Sequence, residues 1–151
     1  MFLCGNGGSA GNAAHLANDF LYGISKTRGS GLRVTALTAN PSVLTCLAND
    51  EGYEHIFAHQ MRAFASQGDV LVAVSGSGNS PNIINAANLA KEVGMTVVGV
   101  TGFDGGKLRR MCDVQVHVPI DDMGMCEAIH GVLFHLAMAR LREHVTKANA
   151  A

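Results

Sequence analysis

The sequence contains no run of about 18 or more apolar residues, which excludes a membrane-spanning helix on sequence grounds. It also lacks a charge of dominant sign. Eleven Lys and Arg stand against 12 Asp and Glu, giving a net charge of −1 and a pI near 6.6. The basic residues are scattered, so no stripe for nucleic acid is expected. Four cysteines (Cys4, Cys46, Cys112, Cys126) form no C-x-x-C pair and sit inside apolar runs, which predicts buried thiols in a reducing cytoplasm. Met1 leads straight into Phe2-Leu3-Cys4-Gly5, without the charged and long apolar regions of a leader, so the expected location is cytoplasmic. Repeats, linkers and low-complexity tracts are absent, apart from a tail over about 147–151 expected to fray.

What the sequence has is apolar mass and glycine. Hydrophobic residues make up 48% of 151 positions, with a mean hydropathy of +0.19, enough to bury one full core. The domain is therefore expected to span residues 1–151. The 18 glycines gather at the ends of short apolar runs. Strand character falls on Met1–Cys4, Arg33–Thr38, Asp69–Ser75, Met95–Thr101 and Val114–Val118. Helical spacing falls on Ala10–Tyr22, Ser42–Ala48, Tyr53–Phe64, Ser80–Val93 and Cys126–Val145. Alternating strands and helices predict an α/β fold with a parallel sheet covered on both faces. Gly94 stands where a helix C-cap glycine belongs.

Two turns rich in glycine and serine carry the chemistry. Cys4-Gly5-Asn6-Gly7-Gly8-Ser9 follows the first strand and opens the first helix. Ser75-Gly76-Ser77-Gly78-Asn79-Ser80 follows the third strand, with Ser80 at an expected N-cap and Pro81 at the first helical position. Each turn brings backbone N–H groups and hydroxyls to a helix N-terminus, where an anion is favoured. Tight turns needing positive φ are the plainer alternative for either loop alone. Two such loops beyond the carboxyl ends of strands point to a phosphate site. The third glycine of G-x-G-x-x-G is out of place, no acidic residue closes the second strand, and no G-K-[ST] lysine is present. A phosphomonoester suits these loops better than a nucleotide, and no nucleotide cofactor is expected.

Cys4–Ser9, Ala48-Asn49-Asp50, Gly68–Leu71, Ser75–Ser80 and Thr101-Gly102-Phe103-Asp104-Gly105-Gly106 occur in an order that resembles the phosphoheptose isomerases, single-domain members of the sugar isomerase (SIS) superfamily. The resemblance spans nearly the whole chain. It implies a single SIS domain with a five-stranded, flavodoxin-like parallel sheet. It also implies conversion of sedoheptulose 7-phosphate to a mannoheptose 7-phosphate, a homotetramer with active sites at subunit interfaces, and one Zn²⁺ per subunit.

Ketose–aldose isomerisation moves a proton between neighbouring carbons through an enediol and needs a base and an acid. His15 and Asp19, at i and i+4, share one helix face and can act as an acid/base pair or as two ligands of one divalent metal. The polar side of an amphipathic helix is the alternative. By resemblance, His15 takes the place of a zinc ligand, Asp19 that of a glutamate serving as catalytic base and ligand, and His135 that of a histidine acting as acid/base or ligand. Glu127 falls where the family often has a glutamine ligand. Taken alone, His135 amid apolar residues reads as a core histidine. Glu127 and His135 lie eight helical residues apart, about 12 Å of rise, too far to share an ion from one straight helix. Either Glu127 precedes the regular helix or two subunits build the site. His130 reads as structural. His55, His59, His117 and His144 carry no motif.

Candidate substrate contacts are Asn6, Gly7, Gly8, Ser9, Asp50, Ser75, Gly76, Ser77, Ser80 and Glu127. Asp50 matches a family aspartate that holds sugar hydroxyls, or else simply ends a helix. Three departures from the family stand out. Its one or two helices before the first strand are lacking. Ser75-Gly76-Ser77 lacks the threonine many members carry in the second loop. Met123-Gly124-Met125 replaces a polar stretch. The alternatives to a heptose isomerase are a non-catalytic sugar-phosphate module, acting as sensor or assembly factor, and an isomerase of another sugar phosphate.

Overall fold

The computed structural model describes residues 1–24 and 31–148. In chain order the elements are β1 (Phe2–Cys4), α1 (Gly8–Asn18), β2 (Thr35–Ala36), α2 (Pro41–Asp50), α3 (Ile56–Phe64), β3 (Val70–Ser75), α4 (Pro81–Val93), β4 (Thr96–Thr101), α5 (Gly106–Met111), β5 (Val114–His117) and α6 (Met123–Ala148). α1 continues into a π-helical turn, Asp19–Gly23, and a 3₁₀ turn, Tyr53–His55, precedes α3.

All four strand pairings are parallel, in the order β2-β1-β3-β4-β5. That is the expected flavodoxin-like sheet, with its switch point between β1 and β3. Alternate residues of β3 feed opposite faces. Leu71 and Ala73 pack with Phe57, Ile83 and Leu108 from α3, α4 and α5. Val72 and Val74 pack with Leu16, Phe20 and Phe134 from α1, its π turn and α6. Each such buried large side chain contributes about 1.5–3 kcal/mol, so the two layers fix the helices that carry the site.

Local chemistry sets several boundaries. Asn40 caps α2 by accepting the Val43 N–H at 3.2 Å, and Pro41 fills the first turn. Asp122 does the same for α6, accepting the Met125 N–H at 2.8 Å, so this helix starts three residues before the expected Cys126. Gly94 closes α4 in the left-handed conformation, as its position predicted. The second strand is shorter than Arg33–Thr38. Only Thr35 and Ala36 pair in register before Leu37 and Thr38 turn away. α5 was not anticipated: it is six residues long, with Leu108 the main side chain it buries.

The expectation of buried cysteines holds for Cys4 and Cys126 and fails elsewhere. Cys112 is half-buried and Cys46 is exposed. The reason is that α2 has no fully buried residue, so position 46 falls on its outward face. Burial pushes the Cys4 thiol up to about 12, making it an inert packing group. Among the described residues no helix is long and apolar enough to cross a membrane. Residues 149–151 lie outside the described part of the tail.

Candidate functional site

The loops leaving β1 and β3 meet at the switch point and enclose a cavity of about 230 Å³. It is lined by Asn6, Gly7, Gly8, Ser9, Ser75, Gly76, Ser77, Ser80 and Glu127, together with Val74 and Met123. Of the ten expected substrate contacts, only Asp50 lies off this cavity. It ends α2, exposed, where Asn49 and then Cys46 hydrogen-bond its carboxyl and hold it below the usual range.

The walls of the cavity are backbone and hydroxyl. Gly7 stands at the N-cap of α1 with φ 54° and brings no capping side chain, so the first-turn N–H groups face the cavity without a cap of their own. Ser80 occupies the N-cap of α4, yet its hydroxyl makes no cap bond and lies 3.4 Å from the Ser75 hydroxyl. Ser75 Oγ also accepts the Gly78 N–H at 3.1 Å. The second loop is braced from behind. Gly78 O accepts the Leu108 N–H at 3.0 Å, and Asn79 Oδ1 accepts the Lys107 N–H at 3.1 Å. Gly78 has φ 64°, and a side chain there would collide with the Gly105 carbonyl.

Asn82, which sequence reasoning missed, ties the two loops together. It is 2% exposed and exchanges two amide hydrogen bonds with Asn6, at 2.9 and 2.8 Å, while the Tyr53 hydroxyl donates to Asn6 Oδ1 at 3.1 Å. Its position in the first turn of α4 was visible in the sequence, but a partner 76 residues away was not.

A second group of side chains lies along α1 and α6. Asp19 Oδ2 is 3.5 Å from His15 Nε2 and 3.3 Å from His135 Nδ1. The two imidazoles meet edge to face with centroids 5.0 Å apart. Asp19 is 15% exposed, whereas the side chains of His15 and His135 are 56% and 57% exposed. The reading of His135 as a core histidine is therefore excluded. One donor atom from each residue lies within 4.8 Å of the others. A tetrahedral zinc with legs of about 2.1 Å has edges near 3.4 Å, so this nitrogen and oxygen set fits such an ion with a position left open.

Glu127 is not part of this group. It lies inside the regular α6 helix, and its carboxylate packs against Gly8, where a β-carbon would meet it. The alternative in which Glu127 precedes the helix is thus removed. Asn12 fastens the two helices by donating to the Glu127 carbonyl at 2.9 Å. His130 is fully buried, its Nε2 3.1 Å from the Thr101 carbonyl, and desolvation holds its pKa below the usual 6.5. The structural reading of His130 fits this placement.

A serine-and-amide cradle at the switch point of a doubly wound sheet, with an acid–imidazole cluster on the flanking helices, defines a sugar-phosphate-binding α/β domain. The sequence profile of the SIS domain matches residues 1–102. The phosphoheptose isomerase of Aliarcobacter butzleri is 44% identical over 135 residues, covering 89% of this chain and 71% of the relative. That of Helicobacter pylori is 38% identical over 149 residues, covering 99% and 77%. The structure of phosphoheptose isomerase from Neisseria gonorrhoeae superposes with a TM-score of 0.87 at 39% identity, covering 95% of this chain and 76% of that one. The Francisella tularensis enzyme gives 0.89 at 30%, covering 94% and 75%. The chain belongs to the SIS-domain family and, within it, to the phosphoheptose isomerases.

Proposed function

We propose that this chain isomerises sedoheptulose 7-phosphate to D-glycero-D-manno-heptose 7-phosphate, supplying an activated-heptose route to surface polysaccharide. The observation that carries this reading is the Asp19–His135 contact at 3.3 Å, an acid beside an imidazole in a chain that also holds a phosphate-sized cradle.

The phosphate is held by Ser9, Ser75, Ser77 and Ser80 with the N–H groups of Asn6–Gly8 at the start of α1, and Glu127 meets sugar hydroxyls. Asp19 takes the proton from C1 of the ketose and returns it at C2. His135 moves the hydroxyl proton between O1 and O2, so the enediol forms and collapses with no net change in protons. General acid–base help of this kind is worth about 10²–10⁴-fold per group. His15, Asp19 and His135, with Glu127 of another copy as a candidate fourth donor, would hold a Zn²⁺. When bound, the ion supplies Lewis-acid stabilisation of charge on the substrate oxygens.

Helical rise separates Gly8 from His15 by about 10 Å and from Asp19 by about 16 Å. A sugar phosphate of seven carbons extends to about 10 Å at ordinary bond lengths. That separation supports a homo-oligomer, a tetramer in this reading, in which cradle and proton-handling groups of different copies face one substrate. Met125, Val132 and Leu136 of α6, 53%, 67% and 55% exposed, give a second copy apolar side chains to cover. A cytoplasmic location follows from the same reading.

The test is turnover of sedoheptulose 7-phosphate by the purified protein and by Asp19→Asn and His135→Ala variants. Loss of at least 100-fold in each is expected, and full activity in both would overturn the assignment. Binding of the sugar phosphate without turnover would favour a sensor or assembly module.

A further inference from the structure

We infer that Arg142 is a positioning residue that clamps the Asp19 segment against His135. This rests on the proposed roles of Asp19 and His135. Asp19 is the first residue of the π-helical turn that ends at Gly23. Such single π turns are short and frequent at functional sites, and this one takes support from outside its own helix. Arg142 of α6 provides it. Its Nε donates to the Gly23 carbonyl at 3.1 Å, and its Nη2 lies 3.2 Å from Met138 Sδ.

The placement ties the clamp to the chemistry. Arg142 follows His135 by seven residues, two turns along α6, so the two share one helix face. Gly23 opens between the clamp and the carboxylate. A methyl group on it would stand 3.9 Å from Asp19 Oδ1 and 4.0 Å from Arg142 Nη2. One helix thus carries both the imidazole that meets Asp19 and the guanidinium that pins the turn from which Asp19 projects. Arginine suits this role because its planar fork makes two contacts with one side chain. The Leu32 N–H, which donates to the Phe20 carbonyl at 2.9 Å, steadies the same turn on its other side.

The experiment compares the wild type with Arg142→Met, Arg142→Gln and Arg142→Lys in the full chain. It measures melting temperature, Zn²⁺ affinity by competition with a chromogenic chelator, and kcat and KM separately. Loss of a supporting partner behind a ligand set typically costs 10–100-fold. Arg142→Met is expected to weaken Zn²⁺ binding and lower kcat by about that range, with KM within twofold and little change in melting. Arg142→Lys, which keeps charge and a donor, should recover part of both losses. Wild-type Zn²⁺ affinity and kcat in Arg142→Met would overturn the clamp. So would losses that merely track a fallen melting temperature. If Arg142→Met does not fold, Arg142→Gln decides: weaker Zn²⁺ binding at an unchanged melting temperature supports the clamp, and wild-type affinity overturns it. A wild type that turns over no sugar phosphate, with Arg142→Met still losing Zn²⁺ affinity, would sink the isomerase reading and leave the clamp standing.

Discussion

The cradle and the acid–imidazole cluster are built in opposite ways. The cradle is made of backbone amides and short hydroxyls where two neighbouring strands lead into helices, with Ser9 and Ser75 only 3% and 5% exposed. Its donors are fixed by the fold and cost little side-chain entropy to order. The cluster is made of long side chains on two helices, more than half exposed at His15 and His135. Its geometry depends on a helix crossing and on the π turn at Asp19. On the proposed function, binding falls to the loops and chemistry to the helices, so mutations in the two should separate KM from kcat.

The sharpest break of that division is at Asp19. Asp19→Asn should lower kcat by about 10²–10⁴-fold. Competitive inhibition by inorganic phosphate, read from the same assays, should stay within twofold of wild type. A large rise in the phosphate inhibition constant would show the two regions to be one. Gly78→Ala strikes the other side. A β-carbon on this left-handed residue meets the Gly105 carbonyl, and about 2–4 kcal/mol of stability should be lost, visible as a melting temperature lower by about 5–15 °C.

Ser75→Ala is milder. It removes the acceptor for the Gly78 N–H and, on the proposed function, one donor to the phosphate, about 1–1.5 kcal/mol, so KM should rise about tenfold at unchanged kcat. The smallest effect is at His130. Because burial depresses its pKa in the fold, the unfolded chain takes up the proton first as pH falls. Its contribution to stability is complete above about pH 6.5 and is lost below it. His130→Gln, which keeps a donor for Thr101, should flatten that part of the stability–pH curve in denaturant titrations.

The cradle was more legible in the sequence than the cluster, for the same physical reason. Gly5–Ser9 and Ser75–Ser80 are continuous segments whose residue types state their conformation and their donors. β3 and β4 were equally plain, since strands buried on both faces are continuous apolar runs. His15 and Asp19 announced themselves by helical spacing, but His135 needed the packing of α6 on α1 or a family resemblance. Asn82 and Arg142 gave no signal because their partners, Asn6 and Gly23, are distant in sequence. The π turn was read as ordinary helix, since Phe20-Leu21-Tyr22 keeps helical apolar spacing. α5 was hidden by its shortness: among Lys107, Arg109 and Arg110 only Leu108 and Met111 carry helical apolar spacing. Cys46 shows the converse error, where apolar neighbours implied burial on a helix that packs only along one edge.

The most direct measurement is hydrogen exchange at the carbon next to the carbonyl of sedoheptulose 7-phosphate, followed by NMR in deuterated water with catalytic amounts of protein. The account predicts deuterium entering at that carbon with wild-type protein and at least 100-fold more slowly with Asp19→Asn or His135→Ala. Phosphate-dependent stabilisation of all three proteins with no exchange by any of them would contradict it.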